Sequence, residues 1–344
     1  MARQTLAILA LGAALVGGSV SPASSAEFTM NMGVANPVIP NNFSWTHLEV
    51  LEREIEERSG GRIDVTIYPG AQLGGVESVV NQVKDGVVQA SDASDGHFAT
   101  TYPNVQVFSV PYLFRSREVA WRVLDGPVGD KMREEMAATT GLRPLFWTEN
   151  GGFRHFTSAS KELQSVADLS GLKMRVQNHP ISMEIARALG MSPTPIAWGE
   201  LYTALQTGVV DGQENSISTF LVPKLYEVQK HMILDGHIYA VNTVIVNEAW
   251  YQGLPDDLKA AIEQAAAVAV QTNRGLSVAN EISGRATLEE EGVTVYAPTA
   301  EEMDELKKLT QEPAIAWLKS NVDAGLLDEI MAAAQEAEAH FGYR

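Results

Sequence analysis

Hydrophobic and polar positions along this chain switch repeatedly between a period of two and a period near 3.6, and each switch marks an element. Residues 28–34 (FTMNMGV) read as a strand, and the Asn36-Pro37 and Pro40-Asn41 pairs after it as turns. Leu48, Leu51 and Ile55 then fall on one helical face, and Ser59-Gly60-Gly61 closes that helix with a glycine cap. Residues 62–68 (RIDVTIY) alternate as a strand, 75–84 are helical with Val79, Val80 and Val83 on the apolar side, and 87–92 form a third strand. The order β-α-β-α-β predicts a parallel sheet with helices on its faces.

The run 107–114 (VFSVPYLF) has the composition of buried chain, helices are expected around 118–124 and 128–139, and strands over 142–147 and 153–157. Between those strands Glu149-Asn150-Gly151-Gly152 reads as a flexible joint and the first crossing between domains. A second α/β unit runs from Gly152 to about His237; its densest part, 171–215, holds two short strand candidates, two helices and two turns. Residues 239–246 (YAVNTVIV) are β-prone enough to return as a strand to the first domain. From 255 to 292 there is no internal proline, and Leu258, Ile262, Ala265, Ala269, Thr272, Leu276 and Ala279 step at i+3/i+4. At ~1.5 Å per residue one helix there would span ~50 Å, more than the width of a domain. Two readings stay open: two helices broken near Gly275 or Gly284, or one helix lying across both domains. Residues 293–296 form a last strand, and two acidic amphipathic helices finish the chain.

The N-terminus adds a compartment. Arg3 precedes a nearly unbroken apolar run over 6–16, and small residues lead to Ala26, after which cleavage is expected. Residues 1–26 therefore read as a secretory signal peptide, since a membrane anchor needs about 20 apolar residues. There is no cysteine, so a lipid-modified N-terminal Cys, disulfides and thiol catalysis are excluded. A length of 344 residues suits about two domains, and a net charge of −18 argues against nucleic-acid or anionic-membrane partners. Against that background an anionic ligand must be drawn by local, buried cations.

Enzyme signatures are missing. The seven histidines show neither HExxH nor metal-like clustering, and there is no Walker loop, GxSxG elbow or GxGxxG after the first strand. No metal and no cofactor are expected. Asp92 and Asp95 (DASD) could be imagined as paired carboxylates, but a loop lining fits them equally well. What is left is a two-domain shell with a crevice.

Several short segments, in order and spacing, carry a resemblance: YPGAQLGG (68–75), KDG (84–86), VPYLF (110–114), GFRHFTS (152–158), GLKMRVQ (171–177) and WGELYTALQTGVVDGQEN (198–215). Together they resemble the solute-binding proteins of TRAP transporters, the DctP family, over the whole mature sequence. The resemblance implies a type II-like, two-lobed α/β periplasmic binding protein, each lobe a mixed sheet flanked by helices, with a long helix spanning both. Lobe I would take 27–151 and 241–280, lobe II 152–240 and 281–344. Such a receptor, expected as a periplasmic monomer, captures a small organic acid and hands it to a sodium-coupled membrane permease.

By the same resemblance Arg175 matches a carboxylate clamp, a role that suits a planar guanidinium able to bond a carboxylate twice. Asn215, after DGQE, matches an amide holding the same carboxylate, though an N-cap of the following helix is its alternative. Arg154 resembles a second ligand arginine, against an inter-domain salt bridge. Trp198 resembles an aromatic wall, against core packing, and Tyr239 a further aromatic. Gln177 shares a strand face with Arg175, and Ser94 lies in the loop after the third strand. His179, in the QNHP turn, and SISTF (216–220), where a proline is often found, depart from the family pattern. Another two-lobed importer or signalling receptor and a secreted enzyme are the rival classes. The acid itself stays open among C4-dicarboxylates, sugar acids, short hydroxy- or keto-acids and ectoine-like solutes; a second cation at Arg154 favours ligands with more than one polar end.

Overall fold

The structure is a computed structural model and describes residues 26–343. All of the expected signal peptide but its last residue lies outside the described residues. The first unit is β1 (Phe28–Gly33), α1 (Thr46–Arg58), β2 (Ile63–Tyr68), α2 (Val76–Lys84) and β3 (Ala90–Ser94), with β1 parallel to both β2 and β3 as expected. Then α3 (Arg117–Leu124), begun by the Ser116 side chain accepting from the Val119 N–H, and α4 (Pro127–Thr140) lead into β4 (Leu142–Ser158). The second unit is β5 (Lys173–Val176), α5 (Pro180–Ala188), β6 (Ser192–Pro195), α6 (Leu201–Gln206) and β7 (Gly212–Asn215), with β5 parallel to β6 and β7. After α7 (Ile217–Leu221) come β8 (His231–Asn247), α8 (Glu248–Gln252), α9 (Asp256–Glu290), β9 (Thr294–Tyr296), α10 (Ala300–Asn321) and α11 (Ala324–His340).

The sheets of the two lobes are the two ends of one continuous sheet, ordered β2-β1-β3-β8-β4-β7-β5-β6, with β9 pairing β8. The antiparallel β4 and β8, 17 residues each, run through both lobes. The strands expected at 142–147 and 153–157 are therefore one strand, and the residues between them form a bulge in place of a loop. Pairing with β8 jumps between Glu149 and Gly152. Gly151 and Gly152 hold φ of 79° and 101°, and a Cβ on Gly152 would collide with the Arg117 guanidinium. Only glycine fits this bend.

α9 is unbroken over 35 residues, about 52 Å at 1.5 Å per residue. Of the two readings of 255–292 the single helix is correct. Gly284 is no break: it lets α9 approach α7, because a Cβ there would meet Ile217 and Leu221 side chains at 2.8 and 2.9 Å. Near its start α9 buries Leu258, Ile262, Ala265 and Ala269 against Leu48, Leu51 and Ile55 of α1 and the β1-β3-β8 face. Midway, Asn273 ties it to the bulge: its Oδ1 accepts from the Glu149 N–H (3.1 Å), and its Nδ2 donates to the Glu149 carbonyl (3.2 Å). A second core, around Phe98, Phe108, Trp147, Met174, Ile185 and Leu327, runs under both lobes. α10 rests on α5 and α11 on α3 and α4, so the chain's last two helices touch different lobes.

Candidate functional site

Between the lobes lies a narrow, partly open cavity. Asn36, Phe43, Ser44, Asp92, Ser94, His97 and Asn242 line it from the β1-β3 side, and Gln177, Trp198, Asn215 and Thr219 from the β5-β7 side. The registers explain the second group. Arg175 pairs with Gln213, and Gln213 with Thr157. Because alternate residues share a face, Arg175, Gln177, Gln213 and Asn215 project to one side. A relay fixes the Asn215 amide: its Nδ2 donates to Gln213 Oε1 (2.6 Å), Gln213 Nε2 donates to Thr157 Oγ1 (3.0 Å), and Thr157 donates to Gln229 Oε1 (2.9 Å). Asn215 is free to do this because Ser216, not Asn215, caps α7, accepting from the Thr219 N–H. That also settles where the helix begins in the SISTF departure.

Arg175 is 1% exposed. Its Nε donates to the Ile196 carbonyl at 2.9 Å, while Nη1 is sealed from solvent without a partner among the described residues. Burial lowers its pKa to about 10, which the Glu214 charge opposes and the Arg154 charge reinforces, and it stays cationic at neutral pH. A buried cation with an unmet donor is a costly arrangement unless an anion completes it. The guanidinium belongs to the row of Gln177 and Asn215 but lies outside the cavity's lining surface.

Ser94, Gln177, Trp198 and Asn215 are thus brought to one cavity. Ser94 and Gln177 meet across it, Gln177 Nε2 donating to Ser94 Oγ at 3.0 Å. Gly96 sits so close to Gln177 that a Cβ would overlap its amide oxygen. The two lobes are therefore in contact, as in a closed form. Gln177→Ala is expected to open the unliganded protein by removing about 1 kcal/mol of this contact. Small-angle scattering would show a larger radius of gyration; an unchanged radius would mean that Gln177 does not hold the cleft shut.

Two expected residues sit elsewhere. Arg154 faces the other side of the sheet and is bound to Glu214 through Nε and Nη2, the latter also donating to the Glu214 carbonyl (2.8 Å). Its Nη1 makes no hydrogen bond among the described residues, and it does not line the cavity. Tyr239 is buried among Phe114 and Phe153; its hydroxyl donates to Glu149 (2.6 Å) and accepts from Trp121 (2.9 Å). That junction, with Arg117 bridging Glu149 and Glu281, fastens the β4 bulge to α9. His179 is buried, with Nδ1 at 3.0 Å from Ser182 Oγ, and does not reach the cavity. Asp92 and Asp95 are not a pair either: Asp95 accepts from the Gly96 N–H (2.8 Å) and Ser109 (2.9 Å), while Asp92 accepts from Asn242 (2.5 Å).

Behind Arg175 lies a buried ionic chain that sequence reading did not find. Burial would raise the Glu214 pKa, but the charges of Arg154 and His237 hold it down at about 2. His237 bonds Asp235 at 2.6 Å and stacks on Phe156 at 4.0 Å. Burial would lower it, yet Asp235 and Glu214 push it up to about 9. His155, beside it, is driven down to about 4 by burial despite Asp235. The sequence signal for this chain was the alternation R-H-F against Q-E-N and D-G-H; it becomes readable only once β4, β7 and β8 are known to be neighbours.

Two α/β lobes on a continuous sheet, spanned by one helix and closed over a cavity with polar side chains in its lining, with a buried arginine in the same strand row as Asn215, define a solute receptor. Residues 35–317 match the family described as bacterial extracellular solute-binding protein, family 7 (DctP), and the chain belongs to that family. It is 30% identical over 328 residues to the sialic acid-binding periplasmic protein SiaP of Vibrio cholerae, covering 95% of this chain and 98% of that one. It is 33% identical to the C4-dicarboxylate-binding periplasmic protein DctP of Rhodobacter capsulatus, over 77% of this chain and 76% of the relative. The crystal structure of the sugar acid binding protein DctPAm from Advenella mimigardefordensis with galactonate aligns at TM-score 0.85 and 29% identity, covering 90% of this chain and 98% of that one. The family's members are periplasmic solute-binding proteins of TRAP transporters, not enzymes.

Proposed function

We propose that this chain is the receptor of a tripartite TRAP transporter, gripping one carboxylate of a small organic acid at Arg175 and delivering it to a sodium-coupled permease. The observation that carries the reading is the buried Arg175 with its unpartnered Nη1, in one row with Asn215 and Gln177. A carboxylate would complete the guanidinium's bonding and take the free capacity of the Asn215 amide, each charge-assisted bond contributing about 1.5–3 kcal/mol. Trp198 supplies an apolar wall.

The lobes divide at the bulge of β4 (149–152) and the facing residues of β8 (239–242), with α11 carried by the first lobe. In an open form the acid meets lobe II first; Ser94, Asp92 and Asn242 engage only as lobe I swings over. The ligand favours closure by that differential contact alone. Residues 1–26 direct export, and the receptor acts as a monomer.

A thermal-shift panel of monocarboxylates, dicarboxylates and neutral isosteres tests the reading. At about 100 times its Kd a bound acid stabilises by about 2.7 kcal/mol, a shift of several degrees. Shifts confined to acids are expected; equal shifts with neutral amides or alcohols would refute the reading.

A further inference from the structure

The cation on the lobe II side is matched on lobe I by a carboxylate. Asp92 is 8% exposed and lines the cavity. Its Oδ1 accepts from Asn242 Nδ2 at 2.5 Å, and Oδ2 makes no hydrogen bond among the described residues. His47 stands behind it, 1% exposed, with Nε2 3.7 Å from Oδ1 and neither ring nitrogen hydrogen-bonded. The cavity's lining includes no lysine or arginine and no other carboxylate. The histidine that does line it, His97, is held toward its neutral form by burial and by the Arg175 charge, against the pull of Glu77.

We propose that Asp92 selects the far end of the ligand, making this a receptor for monocarboxylates that carry hydroxyl groups and turning away matched dicarboxylates. This rests on the carboxylate-receptor reading above and names the class of acid that the site takes. An ionised carboxylate can only accept hydrogen bonds, so it suits a hydroxyl and repels a second carboxylate. In a closed cavity without a second cation that repulsion is neither screened nor balanced. Asn36, Ser44, Ser94 and Asn242 on the same wall add neutral donors and acceptors, which successive hydroxyls can satisfy. A trimethylammonium group would leave them unpaired. The Asn242 hydrogen bond holds Oδ1 of Asp92 and leaves Oδ2 as the free acceptor.

Calorimetry on the mature protein with matched pairs tests this: erythronate against succinate, and galactonate against galactarate. At least one hydroxy monocarboxylate is expected to bind about 100-fold more tightly than its diacid partner. Asp92→Asn, which keeps shape and one acceptor, should weaken the monocarboxylate about tenfold and bring the ratio below about tenfold. Arg175-dependent binding of a diacid as tight as its partner overturns the selectivity while leaving the carboxylate grip intact. A ratio unchanged in Asp92→Asn overturns the role of this residue. Tighter binding of a zwitterion such as a betaine, or no binding of either hydroxy acid, also overturns the proposal. The wild-type ratio requires no variant to fold.

Discussion

Arg175→Met is expected to weaken the binding of organic acids by about 30-fold or more while leaving the unliganded protein at least as stable as wild type. The two halves of this expectation come from one geometry. Without ligand, Arg175 is a sealed cation with one carbonyl partner and an unpaired Nη1. Replacing such a group by an apolar chain of similar length removes a desolvation cost, and substitutions of this kind are often neutral or stabilising. In the proposed grip the guanidinium meets the acid where water is excluded, and losing one partner of such a pair costs about 2–5 kcal/mol, some 30- to 5000-fold in Kd. Arg175→Lys should recover only part, since an ammonium cannot bond both carboxylate oxygens in one plane. Calorimetry and thermal unfolding on the same samples decide it. Acid binding of wild-type strength in Arg175→Met would falsify the grip, and a large loss of unliganded stability would mean that the arginine serves the fold.

Glu214→Ala should produce the largest loss of stability of any single change near the site, about 3–5 kcal/mol. Glu214 is 2% exposed and is the counterion of Arg154, which is 5% exposed. Removing it leaves one guanidinium buried and uncompensated and takes away the carboxylate 3.7 Å from His237 Nε2. Chemical denaturation at pH 7 measures the difference; a loss under 1 kcal/mol would show that Arg154 finds other partners. The same chain sets a pH dependence. His237 titrates at about 9 in the folded protein against 6.5 when free. Its contribution, of order 3 kcal/mol, is complete below about pH 6.5 and lost as pH rises through about 9. His155 works in the other direction: held down to about 4, its contribution is present above 6.5 and lost as pH falls through about 4. The melting temperature should therefore decline on the alkaline side between about pH 6.5 and 9, and His237→Gln should flatten that decline. A wild-type slope surviving in His237→Gln would assign it to another group.

Much of the architecture is legible in the sequence because it is local. The periodicity of 28–34, 46–58, 62–68 and 76–84 reports neighbours within four residues, and that is enough to order the first β-α-β-α-β unit. The proline-free stretch after Pro255 with its i+3/i+4 stripe is enough to mark α9, although Gly275 and Gly284 left a break open. The family segments at 171–177 and 198–215 mark Arg175, Gln177, Trp198 and Asn215 as a group. The glycines at 151 and 152 were visible as well, but their role was not. They read as a joint, whereas the structure uses them for a bulge inside a single strand wedged under Arg117.

The sequence by itself determined the order of the first β-α-β-α-β unit and the receptor class, because each of these rests on short-range pattern or on recurring segments. The tertiary structure alone decided which side chains share an electrostatic environment. Arg154, Glu214 and His237 come together because β4, β7 and β8 are neighbours in the sheet, and Asp92, Asn242 and His47 because β3 pairs with β8 beside α1. These residues lie 23 to 195 positions apart, and no period along a chain carries information over such distances. Only the strand order does, and with it the burial that sets the electrostatic surroundings of each side chain.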